Sequence, residues 1–118
     1  MSYNITFKVK AEGFDKWIAV GDCDANITWN VRRMIEKSTG LPWLNEADNG
    51  LCMKVIPEIE KGLAELTCNR SKYEKYESPN GRGTVTGCIG FYKRILSAWE
   101  DLIRMDEELA MHAHFWIE

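Results

Sequence analysis

Residues 84–103 read TVTGCIGFYKRILSAWEDLI, and this stretch decides the fold class. Val85, Cys88, Ile89, Tyr92, Ile95, Leu96, Trp99, Leu102 and Ile103 recur at steps of three and four, the repeat of a helix with one face buried. Thr84 stands just before them and can accept a backbone N–H of the first turn, so it marks the start. Gly87 and Gly90 fall inside the pattern, where each lowers helix stability by up to ~1 kcal/mol relative to alanine. They are expected to permit close packing against the helix before.

Working outward, Asn69 to Gly83 is polar and carries Tyr73 and Tyr76, ending in Ser78-Pro79-Asn80-Gly81-Arg82-Gly83, which has the residues of a turn. Val55, Ile59, Leu63 and Leu66 form the stripe of a second helix. It is expected to start near Ile56 or to kink there, because Pro57 suits a first turn. Ile27, Val31, Met34 and Ile35 mark another helix over about 27–38, with Asp22, Asp24 and Asn26 as possible caps and Gly40 as its stop. Pro42 and the run Asn45 to Gly50 read as a loop with an Asn49-Gly50 turn, which Trp43 and Leu44 are expected to pin to the core.

The two ends read differently. Ile5, Phe7 and Val9 alternate with Thr6, Lys8 and Lys10, the period of a strand over about 3–10. A short loop, Ala11 to Asp15, leads to Trp17-Ile18-Ala19-Val20, a second strand ended by Gly21. Met111, Ala113, Phe115 and Ile117 alternate with His112, His114 and Trp116 and read as a closing strand. The expected fold is α+β: a single domain over 1–118 in the order β-β-α-α-α-β. An antiparallel sheet of the N-terminal hairpin and the C-terminal strand packs on about three helices.

The chain has 118 residues, 45% of them hydrophobic and 28% charged, which suits one core and excludes intrinsic disorder. No apolar run approaches the ~20 residues of a membrane span, and Met1 to Asn4 lack the basic start of a signal peptide, so a cytoplasmic chain with no membrane partner is expected. A net charge of −3 argues against direct nucleic-acid binding. Charge is nevertheless uneven: residues 51–95 hold eight basic and five acidic side chains, and 96–118 hold one and six. Glu100, Asp101, Asp106, Glu107 and Glu108 form the densest part. Such a run often only solvates a helix end; its functional reading is a contact for a basic partner.

Four cysteines, Cys23, Cys52, Cys68 and Cys88, have no C-x-x-C spacing and are expected to be free thiols. The three Asn-x-Ser/Thr triplets at Asn4, Asn26 and Asn69 are read as cap and turn chemistry. His112 and His114, two apart on the expected strand, would share a face with Trp116 and could ligate zinc or move protons. No carboxylate is singled out to orient them, and neither a metal nor a cofactor is expected. No nucleophile motif such as G-x-S-x-G occurs, so no catalytic residue is expected either.

Two binding readings remain. Five tryptophans and four tyrosines are many for this length, and Trp29, Trp43, Tyr73 and Tyr76, on polar segments, are candidate exposed anchors for a protein partner beside the acidic run. Alternatively, Gly81, Arg82, Gly83 and Thr84 lead into a helix N-terminus and could hold a phosphate or nucleotide with Asn30.

The segments Asn26-Ile27-Thr28-Trp29-Asn30, Val55-Ile56-Pro57, Lys72-Tyr73 and Pro79-Asn80-Gly81-Arg82-Gly83 together resemble small proteins encoded by bacteriophages and prophages, over residues 24–100. Arg82 departs from a pattern that often reads Asn-Gly-Trp-Gly in those proteins. The resemblance implies a non-catalytic accessory protein acting in the cytoplasm of a host bacterium. The function it implies is inhibition of a host defence component, as anti-CRISPR proteins inhibit CRISPR effectors, and it carries over no site residues.

Overall fold

The computed structural model describes residues 2–13 and 15–118; Met1, and Phe14 in the expected hairpin loop, lie outside them. The alternation at the N-terminus produces β1 (Ser2–Lys10), whose Tyr3, Ile5 and Phe7 are buried. β2 (Trp17–Val20) pairs antiparallel with it as a hairpin, Phe7 opposite Val20 and Lys10 opposite Trp17. β3 (Asn26–Thr28) then pairs with the start of β1, Ser2 opposite Thr28, and Ile5 donates its N–H to Ala25. β2 and β3 thus share one edge of β1, interrupted at Gly21, whose φ of +72° suits a residue without Cβ.

The expected helix over 27–38 therefore begins late. Asn26–Thr28 is strand because its backbone completes the β1 edge, Trp29–Val31 is a 3₁₀ turn capped by Thr28, and α1 covers Arg32–Thr39. Gly40 stops it at φ +76°, as expected.

The expected 45–50 loop is a strand, β4 (Ala47–Leu51). Asn49 stabilises it by folding the preceding loop onto itself: its amide donates to the carbonyls of Leu44 and Ala47 and its oxygen accepts the Leu44 N–H. Gly50, at φ +103°, sits in the irregularity between Asp48 and Leu51 where β4 pairs with β5 (His114–Ile117). Of the two residues expected to hold this region, Trp43 is buried and Leu44 is exposed. The sheet order is β2-β1-β5-β4, all antiparallel.

α2 (Cys52–Cys68) follows β4 directly, its first N–H taken by the carbonyl of Ala113 at 2.9 Å, so it begins four residues before Ile56 and carries Pro57 inside it. Met53, whose carbonyl Pro57 cannot serve, is on the solvent side, where water can replace the lost bond. The polar connection holds α3 (Arg70–Tyr73) and a 3₁₀ turn at Glu74–Tyr76. α4 (Val85–Met105) is the helix of the opening stretch, capped by Thr84 on the N–H of Gly87 at 2.9 Å.

Close packing between α2 and α4 is made by Gly62, not by Gly87 or Gly90. A Cβ on Gly62 would lie 2.8 Å from Thr39 Cγ2 and 3.0 Å from the Tyr92 ring, whereas Gly90 faces open space. After α4 comes α5 (Glu107–His112), so Met111 and His112, expected in the closing strand, are helical. Helices cover one face of the sheet, and Trp43, Phe91 and Phe115 meet edge-on between them in the core. The mixed α+β class stands, with five strands and five α-helices among the described residues.

Candidate functional site

The acidic run forms the corner where α4 ends and α5 begins. Asp106 has an extended backbone that breaks α4, and its carboxylate accepts the N–H of Leu109 at 3.0 Å, capping α5. Glu107 and Glu108 occupy the first turn of α5, where the helix dipole favours negative charge. Asp106 followed by two glutamates and Leu109 is a helix-start signal that could have been read from sequence. Glu100 and Asp101 lie within 3.9 and 3.8 Å of Arg104, the single cation of this region. All five carboxylate residues are exposed, and so are three apolar side chains of the same two helices: Met105 at 66%, and Ile103 at 36% and Met111 at 54%, expected on the buried stripe of the long helix and the apolar side of the closing strand but facing water near the end of α4 and in α5.

The four aromatic anchor candidates do not join this corner as a set. Trp43 and Tyr73 are buried, at 1% and 2% exposure, because Trp43 packs against Tyr3, Phe91 and Phe115 and Tyr73 lies under the 3₁₀ turn. Trp29 is exposed and leans on Tyr3 at 6.0 Å. Tyr76 is half-buried, with Arg33 at 5.8 Å and Lys75 at 5.3 Å from its ring. Polar sequence neighbours mislead here because single large side chains from the Trp43 loop and from the short helix α3 fill the core.

The Asn80–Thr84 turn does meet the Asn26–Asn30 segment. Gly83, at φ +87°, lies so close that a Cβ would stand 2.9 Å from Val31 Cγ1 and 3.2 Å from Asn30 Cβ. Asn80 closes the turn by accepting from the Arg82 N–H at 2.9 Å and from the Ser78 hydroxyl at 2.8 Å. The start of α4 already holds an anion of the chain's own, since Glu77 Oε2 accepts the Val85 N–H at 2.8 Å. With Thr84 on the Gly87 N–H, two of the donors that would greet a phosphate are engaged. Arg82, Gly81 and Asn30 stay exposed.

His112 and His114 are on different elements, one at the end of α5 and one in β5, so they do not share a strand face. His114 Nδ1 is instead held by both oxygens of Asp48 at 3.0 Å, on the outer face of the sheet. Trp17 packs against its ring at 4.7 Å and against Trp116 at 5.5 Å, and Lys8 pairs with Glu118 while lying 4.5 Å from the Trp116 ring. A carboxylate-held histidine is a proton-moving arrangement, but among the described residues no hydroxyl or thiol hydrogen-bonds to it. No group of three metal-ligating side chains occurs among the described residues.

Protein-family models, curated proteins and solved structures give no match to this chain. Its own residues carry the functional reading.

The cysteines are free. Burial pushes the Cys88 thiol up to about 12 and raises Cys52 further, which disfavours their thiolates; Cys68 is exposed at the end of α2. No helix among the described residues is long and apolar enough to cross a membrane.

Proposed function

We propose that the chain is a non-catalytic binding protein whose α4–α5 corner docks on a basic, nucleic-acid-handling protein. The observation that carries this reading is the alternation of exposed Ile103, Met105 and Met111 with exposed Glu100, Asp101, Asp106, Glu107 and Glu108. Thioether and aliphatic side chains supply adaptable apolar contact, and the surrounding carboxylates supply long-range steering towards a positive surface. Trp29 is a further exposed anchor on another part of the surface. The resemblance of residues 24–100 to phage-encoded proteins makes a host defence component, such as a CRISPR effector, the expected target. Cytoplasmic action in the host follows from that target. The phosphate- or nucleotide-binding alternative at Asn30 and Gly81 to Thr84 is less favoured, because Glu77 already fills part of the helix start.

The test uses bacteria with an active CRISPR system, challenged by a targeted phage while the protein is expressed. The parent is expected to restore plating. The Asp101→Lys, Glu107→Lys, Glu108→Lys triple variant, which spares the Asp106 cap, is expected to lose that effect and stay folded, since exposed ion pairs contribute only ~0–1 kcal/mol each. Equal protection by parent and variant would move the interface elsewhere. No protection by the parent would remove the CRISPR target.

A further inference from the structure

Gly62 brings α2 against Tyr92, and residues of α2 from Glu60 to Cys68 and of α4 from Leu96 to Ile103 line an open groove of about 600 Å³. Leu63 and Leu96 form its walls and Trp99, almost fully buried, its floor. Leu96, Trp99 and Ile103 follow one another at steps of three and four, the row of side chains against which a further helix packs. Among the described residues no element fills this row. We infer that the groove seats a basic amphipathic helix of the partner protein, an inference that rests on the binding role proposed above.

Charge selects this occupant. Among the described residues, the charged side chains lining the groove are Glu60 on α2 and Glu100 on α4, both exposed. Arg104 lies 3.9 Å from Glu100 and offsets part of its charge, but Glu60 has no ion pair among the described residues, its neighbour Lys61 reaching Glu58 instead. An apolar slot between two carboxylates excludes fatty-acid-like anions and disfavours a second copy of this chain, which would bring the same carboxylates together. A helix with leucine-like anchors at i, i+3, i+4 and i+7 and lysines beside them satisfies both the floor and the rim. The groove is continuous through Glu100 with the acidic corner, so one basic helix could be steered by the corner and held by the slot.

Cys68, exposed and lining the same groove, provides a local reporter. The probe is an 18-residue amphipathic peptide of leucine and lysine, compared with a scrambled peptide of the same composition and with a leucine–glutamate counterpart. At saturation the amphipathic cationic peptide should slow alkylation of Cys68 about tenfold, and the other two should not. Ala64→Arg, an exposed lining position on α2 where arginine is a good helix former, should weaken the peptide about tenfold with helicity and melting temperature retained. The Asp101, Glu107, Glu108 reversal should leave Cys68 protection in place, which separates the groove from the corner. Absence of protection, equal protection by the leucine–glutamate peptide, or undiminished binding by Ala64→Arg each overturns the inference, whatever the plating assay reports for the corner.

Discussion

Replacing Gly62 by alanine sets two effects of opposite sign against each other, and the structure says which prevails. In a helix interior alanine is favoured over glycine by about 0.5–1 kcal/mol, so propensity alone makes Gly62→Ala stabilising. The added Cβ, however, would stand 2.8 Å from Thr39 Cγ2 and 3.0 and 3.3 Å from two ring atoms of Tyr92. Neither neighbour yields easily: Thr39 is held by its hydroxyl on the Ile35 carbonyl at 2.7 Å, and Tyr92 by a 2.8 Å hydrogen bond with Ser38. Overpacking of this kind costs about 1–3 kcal/mol, leaving a net loss of up to about 2.5 kcal/mol. Gly90→Ala meets nothing within 4 Å and keeps the whole propensity gain. The two variants should therefore differ by about 1–3 kcal/mol, the overpacking cost alone, measured by urea unfolding followed by tryptophan fluorescence, with melting temperatures shifting by about 3–6 °C per kcal/mol. If Gly62→Ala is as stabilising as Gly90→Ala, the close approach of α2 to Thr39 and Tyr92 is refuted.

Native alkylation should modify Cys68 first, while Cys52 and Cys88 react only after unfolding; intact-mass analysis before and after denaturant gives the order. Stability should fall as pH rises from about 9 towards 12, because the unfolded chain releases the Cys88 proton near the ordinary thiol value while the folded chain keeps it. Burial raises Tyr92 in the same direction. Cys88→Ala should flatten this decline, and a series of melting curves at alkaline pH measures it. Glu77→Ala removes the carboxylate on the Val85 N–H and should cost about 1 kcal/mol in urea unfolding; retention of full stability would show that the turn does not cap α4.

What was legible in the sequence were the elements whose own side chains carry the pattern. β1 shows period two, α4 shows an uninterrupted stripe with Thr84 before it, and Gly40 stops α1. β4 was not legible, since Ala47-Asp48-Asn49-Gly50-Leu51 has no strand preference and becomes extended only by pairing with β5. β3 was missed for the same reason: Asn26 and Thr28 are good cap residues locally, but β1 supplies the hydrogen bonds. Pro57 pointed to a helix start because local rules do not anticipate that Ala113 caps Cys52 from far along the chain. At the candidate site the carboxylates could be read from charge density. Exposure of Met105 and Met111, and burial of Trp43 and Tyr73, depended on which side chains of the connecting segments and helix ends the core had room for.

The central position of β1 has a consequence for the order of assembly. Its partner on one side is the adjacent hairpin strand, but on the other it is β5, Phe7 lying opposite Phe115 and Asn4 exchanging hydrogen bonds with Glu118. During synthesis the first strand is made early and its second neighbour is made only after α5. Until then β4 has no partner to pair with, and one edge of β1 and the apolar row Ile5 and Phe7 stay open. Pairing β1 with β5 closes the long loop from Ile5 to Ile117 before any of its contacts reward it, which makes this step slow relative to the hairpin. Over that interval the free edge of β1 is a template on which another strand can pair.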